Sequence, residues 1–141
     1  MSPASEPASF PLLELLGISI EVAAPGRARA VIEADDSSLN PNGVVHGAVL
    51  FAIADTAMGA ATMSTLADGM ACASIDVQMR FLRPAVEGGL IAEASVLRAG
   101  QRVVQLEARV VDAGGDLVAM ATGSFAVCPQ RNPRAGGSRS Q

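Results

Sequence analysis

The stretch Asn40–Thr62, NPNGVVHGAVLFAIADTAMGAAT, decides how this chain is read. From Gly47 onward it is apolar almost without interruption, a pattern that suits a helix wrapped by other structure. Yet Asp55 stands in its middle, and His46, the single histidine, stands at its start. An unpaired carboxylate in an apolar core is costly, so Asp55 must be hydrogen-bonded, paired or open to a cavity. No cation lies one helical turn away: the i±3 and i±4 positions hold Phe51, Ala52, Met58 and Gly59. Desolvation there would raise its pKa and improve it as a general base. The bland alternative is an Asp at a sheet rim, bonded to a backbone amide.

The rest of the chain bounds what this helix can serve. Its 141 residues suit one domain with a sizeable core. Half are apolar and 17% charged, which excludes a disordered chain. The net charge of -4 leaves no basic surplus for nucleic acid, and four Phe without Trp or Tyr offer little base stacking. Cys72 and Cys128 lack metal-ligand spacing and fit two buried thiols of a cytosolic protein better than a disulfide. One His without clustered Cys or carboxylates argues against a metal. The N-terminus carries Glu6 and Glu14 and no basic segment before its apolar run, unlike a signal peptide. A membrane span over Gly47–Leu66 would place Asp55 near the bilayer centre at about 3 kcal/mol, with no flanking Lys or Arg between Arg29 and Arg80. A cytoplasmic protein is the expectation.

Residues 1–8 read as a loose leader, and FPLLELLG as a short helix begun by Pro11 and ended by Gly17. A hairpin turning at Pro25-Gly26 follows, with Ala28, Ala30, Ile32 and Ala34 on one face. The long helix is expected over Gly47–Leu66. Four strands are expected over Ala71–Arg83, Gly89–Leu97, Arg102–Asp112 and Asp116–Val127, with turns at PAVEGG, RAGQR and DAGGD. Residues 129–141 have no apolar pattern and read as a disordered tail. This order predicts an α+β fold in which an antiparallel sheet curls around one apolar helix. Such a unit leaves an edge and a helix flank open, which favours a dimer.

Gly47 belongs to the first turn of the long helix, where backbone N–H groups lack partners and the dipole is positive. It could serve as an oxyanion donor, or Gly43 and Gly47 could simply permit a tight turn and close packing. Asp55, eight residues on, is about 12 Å of rise and about 80° of rotation away. One carbonyl held at Gly47 is therefore out of reach of the same chain's Asp55. Two helices about a two-fold axis could bring each Asp55 to the other's Gly47. His46 could be a base, a donor or a cap, and Asn40 could bond a water, a carbonyl or its own loop.

The residues N-P-N-G-V-V-H-G-A-V-L-F-A-I-A-D-T-A-M-G, with SIDVQMRFLRPA and the strands that follow, resemble the hotdog-fold acyl-CoA thioesterases of the PaaI-like (phenylacetic-acid-degradation) branch. The resemblance covers about residues 10–127 and puts a hotdog domain at 9–128. It implies Gly47 as the oxyanion amide, Asp55 as base or nucleophile, and Asn40 and His46 as groups that position thioester and water. It implies that Ser74 helps to orient the water and that Arg80, Arg83, Arg98 and Arg102 meet the phosphates of CoA. It implies a homodimer with shared sites, assembled as a dimer of dimers, acting on acyl-CoA with no cofactor. The family's second glycine is Ala48 here, a mild change if Gly47 is the donor. An enoyl-CoA hydratase and a non-catalytic acyl-CoA sensor share the fold class. Thiol release, hydration without thiol, or binding alone separates the three.

Overall fold

The computed structural model describes residues 9–131; the expected leader at 1–8 and residues 132–141 of the expected tail lie outside them. A short helix, α1 (Pro11–Leu16), starts on proline and ends at Gly17, whose φ of 71° suits a residue without Cβ. Strands β1 (Ser19–Ala24) and β2 (Arg27–Ala34) form the expected hairpin. Ala28, Ala30, Ile32 and Ala34 of β2 are all buried, as their alternation requires. Helix α2 (Gly47–Met63) then crosses the sheet, followed by β3 (Met70–Phe81), β4 (Gly88–Ala99), β5 (Val103–Val111) and β6 (Leu117–Pro129).

The six strands form one sheet in the order β1-β2-β4-β5-β6-β3, every neighbouring pair antiparallel. Two expectations change here. PAVEGG is not a hairpin turn: β3 pairs with β6 and β4 with β2, so the chain crosses between opposite sides of the sheet. The cause is α2, whose 17 residues span about 25 Å and carry the chain past β4, β5 and β6 to the far edge. The helix also stops at Met63, not Leu66. The Ser64 and Thr65 hydroxyls bond the carbonyls of Ala61 (2.7 Å) and Thr62 (2.8 Å), competing with helical continuation. Ser64 also accepts the Gly26 N–H at 2.8 Å, tying the helix end to the β1–β2 turn. At the other terminus, β6 runs to Pro129 and the Gln130 N–H donates to the Gly69 carbonyl at 2.8 Å.

The core lies between α2 and the inner face of the sheet. Leu50, Ile53, Ala54, Ala57, Met58, Ala61 and Thr62 of α2 pack onto buried β-strand side chains such as Ala30, Leu90, Leu106, Ala108 and Phe125. The chain wraps only this side of the helix. Ala48, Phe51 and Met63 are exposed, and Ala52, Asp55 and Gly59 between them are partly so. The open helix flank expected of such a unit is thus present: a second apolar face of α2 is not covered by the chain. Beside it, β3 is an edge strand with one side unpaired. No described helix is long and apolar enough to cross a membrane.

Candidate active site

The loop before α2 is held by its own backbone. Oδ1 of Asn40 accepts the N–H groups of Asn42 (2.9 Å) and Val44 (3.3 Å), and Gly43 turns the chain with φ of 76°. The Val45 N–H donates to the Ala85 carbonyl and the His46 N–H to the Ser38 carbonyl, both at 2.8 Å. The chain therefore enters α2 in a defined direction. Among the three roles open to His46, the structure shows a cap: its Nδ1 accepts the Ala48 N–H at 2.9 Å. An accepting Nδ1 puts the ring proton on Nε2, so the exposed side of the ring presents a donor. The Asn40 carbonyl is likewise committed to its loop, and only its amide N–H groups remain for a ligand.

Gly47 follows the cap. Its amide donates to no group among the described residues, as the first position of a helix permits. Its φ is not positive, so turn geometry does not require glycine here. The contact there is close: a Cβ at this position would lie 3.0 Å from Cζ and 3.1 Å from Cε1 of Phe81, so a larger residue would push the ring aside. The tight turn thus falls to Gly43 and the close contact to Gly47.

Asp55 lies two turns further on, on the uncovered face. One carboxylate oxygen, Oδ1, is buried and has no hydrogen-bond partner among the described residues. Burial pushes its pKa above the ordinary carboxylate value. The bland alternative, a rim Asp bonded to a backbone amide, is not observed. Cys72 lies near enough for Asp55 to help raise its thiol, after burial and Cys128. Both cysteines are free and half-buried, and the register sets Cys72 and Cys128 on opposite faces of the sheet.

The other expected residues are dispersed. Ser74 is exposed on β3 opposite Phe125, at a bulge, and Phe125 packs at Gly59 one turn past Asp55. Arg80 alternates with Met79 and Phe81 and so faces the outer side of the sheet, away from α2. Arg83 pairs with Asp116 at 3.4 Å at the same end. Arg98 and Arg102 flank the β4–β5 turn, at the opposite end of the strands. Arg98 pairs in the sheet with Gln105 while Arg80 lies level with Arg109, about 13 Å further along the strands, and the spacing from β4 to β3 adds about 14 Å across the sheet, so one chain does not gather the four arginines around one ligand.

Two residues were not anticipated. Phe51 is four positions from both Gly47 and Asp55, and this helical spacing was visible in the sequence. Phe81 meets Gly47 across 34 positions of chain, and no local pattern signals that contact. Surface concavities of about 460 Å³ (at Asp35, Asp36, Ser37 and Glu87) and 320 Å³ (on the outer sheet face) include neither Gly47 nor Asp55. The α2 face is instead an open surface: Phe51 is 40% exposed, and Phe81 and Ile75 are each 57% exposed.

Comparison with known proteins agrees with this architecture. Residues 42–119 match the thioesterase superfamily. A candidate esterase of Halobacterium salinarum is 40% identical over 127 residues, 82% of this chain and 83% of its own. A phenylacetic-acid-degradation-related protein of Ralstonia eutropha, described as a candidate thioesterase, superposes with a TM-score of 0.78 at 32% identity. The match covers 84% of this chain and 92% of that one. The PaaI protein of the Escherichia coli phenylacetic acid degradation operon gives a TM-score of 0.76 at 29% identity, over 82% of each chain.

Proposed function

The chain belongs to the thioesterase superfamily, and from that premise we propose that it hydrolyses acyl-CoA at a site shared between two copies of itself. The observation that carries this reading is a pair of unpartnered groups on one uncovered helix face. Gly47 offers a free N–H, and Asp55 a buried oxygen with no donor. Eight residues of helix put them about 12 Å apart, too far to act on one carbonyl within a chain. A second α2 laid antiparallel about a two-fold axis would bring each Asp55 to the other chain's Gly47. The open apolar face and the free edge of β3 suit that pairing, and the same contact would desolvate Asp55 further.

In this mechanism the thioester oxygen rests on the Gly47 amide, where negative charge develops as the carbonyl is attacked. The partner chain's carboxylate at position 55 removes a proton from water, or attacks directly to form a mixed anhydride that water then opens. The products are a free acid and the CoA thiol. The donors left over on Asn40 and His46 orient the thioester, and Ser74 the water. An arginine pair at one end of the sheet receives the CoA phosphates. The chemistry draws on no metal or resident cofactor. The acyl group is small or medium in size. The phenylacetic acid degradation context of two relatives makes aryl-acetyl and hydroxylated aromatic thioesters the first to assay. Assembly as a dimer of dimers in the cytoplasm completes the proposal.

Subunit exchange tests it. Asp55→Asn removes the base, and Asn40→Asp keeps the loop-holding oxygen while removing the donor. Each homodimer should be inactive. After joint refolding at equal amounts, half of the dimers are mixed, and each holds one site with neither defect. The mixture should regain about a quarter of wild-type activity. Mixtures as inactive as their parents, with heterodimers shown to be present, would rule out the shared site.

A further inference from the structure

We infer that Phe81 is a positioning residue for the Gly47 amide: its ring sets the first turn of α2 and shields one side of the N–H that receives the thioester oxygen. This inference rests on the thioesterase reading. Its geometry is independent of it. Phe81 is the last residue of β3, opposite Ala119. Directly after it, the N–H groups of Leu82 (2.9 Å) and Arg83 (3.3 Å) both donate to the Val118 carbonyl, which anchors the strand end. The ring fills the space a Gly47 side chain would take, with Cζ and Cε1 nearest. The Cβ of any residue is two bonds from its own amide nitrogen. The ring therefore packs beside the residue that carries that amide.

Three consequences follow for the chemistry. A hydrogen bond to a developing oxyanion strengthens where water is excluded, and an aromatic wall excludes it. The distances to Cζ, Cε1 and Cε2 set the Gly47 Cβ position over the ring face near the Cζ–Cε1 bond, so the ring acts by excluding water and not by attracting the charge. The contact also restrains the turn that carries the donor, so the amide need not reorient as the oxyanion forms. A ring that served only the core would be covered by it, whereas more than half of Phe81 is exposed.

The test measures CoA thiol release from a panel of acyl-CoAs by wild type, Phe81→Ala, Phe81→Met, Gly47→Ala and the Gly47→Ala/Phe81→Ala double variant. Circular dichroism checks the fold of each. Phe81→Ala should lower kcat at least about tenfold while KM changes less than about threefold, because the loss falls on the transition state. Phe81→Met, which keeps apolar reach, should stay within about threefold of wild type. Gly47→Ala should displace the ring and lose kcat by itself. The double variant should be no slower than the slower single one, since both changes break one contact. If Phe81→Ala does not fold, the contrast between Gly47→Ala and Phe81→Met decides in the same way. A folded Phe81→Ala with kcat within about twofold of wild type, a loss confined to KM, or multiplicative losses in the double variant overturns the inference. Wild type that releases no thiol from any acyl-CoA overturns the thioesterase reading itself. An active wild type beside an unaffected Phe81→Ala overturns this inference alone.

Discussion

Replacing Asp55 by Asn should make the protein slower and more stable together. The change is nearly isosteric and leaves no cavity. It removes the general base, which contributes about a hundredfold or more, or about 2.7 kcal/mol of barrier. Stability moves the other way. Oδ1 is buried with no donor, and burial raises the folded-state pKa above the ordinary 3.8. A carboxyl with a raised folded pKa favours folding fully only below its unfolded pKa. That contribution is lost as pH rises through the folded value. At pH 7 the charged Asp55 therefore opposes folding, and the neutral amide should raise stability by about 1 kcal/mol, a few degrees of melting temperature. The group is only partly buried in one chain, which keeps the figure at this modest level. The gain should shrink to nothing only well below the ordinary 3.8, toward about pH 3, where Asp55 is protonated in both states. Thermal melts at both pH values and thiol-release kinetics test the two halves. In wild type, the acid limb of kcat/KM should lie above the ordinary carboxylate range. Turnover of Asp55→Asn within about threefold of wild type, or a lower melting temperature at pH 7, would refute the reasoning.

Ile75→Asp, at the β3 bulge on the unpaired edge, should shift the protein toward monomer by light scattering and remove activity at low protein concentration. A variant that stays dimeric shows that the pairing uses another surface. CoA affinity should weaken with added salt, and of the double variants Arg80→Ala/Arg83→Ala and Arg98→Ala/Arg102→Ala only one should raise KM, because the pairs sit at opposite ends of the sheet. If neither does, the phosphates bind elsewhere. Glu87→Gln should melt higher than wild type at pH 7 but not near pH 4. Its carboxyl is raised by a hydrogen bond and repulsion from Asp36, so its contribution to folding is lost as pH rises. Equal melting at neutral pH would show that the carboxylates do not repel there.

The sequence by itself determined the elements and the anomaly. Alternation in β2 put Ala28, Ala30, Ile32 and Ala34 on the buried face, and Pro11 and Gly17 bracketed α1, because these signals act within a few residues. Asp55 was conspicuous from the sequence because its helical neighbours offered no cation. Its separation from Gly47 also followed from helix rise alone. The tertiary structure decided what depends on distant partners. Local turn composition made PAVEGG read as a hairpin, but strand pairing is set by where α2 delivers the chain. Hydropathy made α2 read as wrapped by other structure with one flank open, but it does not say which residues of the helix form that flank; the fold puts Ala48, Phe51 and Met63 there. The role of His46 as cap depended on its ring meeting the Ala48 N–H. The dispersal of the four arginines followed from strand order, and the close contact at Gly47 from Phe81, 34 residues away. A periodic pattern reports which side of an element is apolar; only the folded chain decides what that side meets.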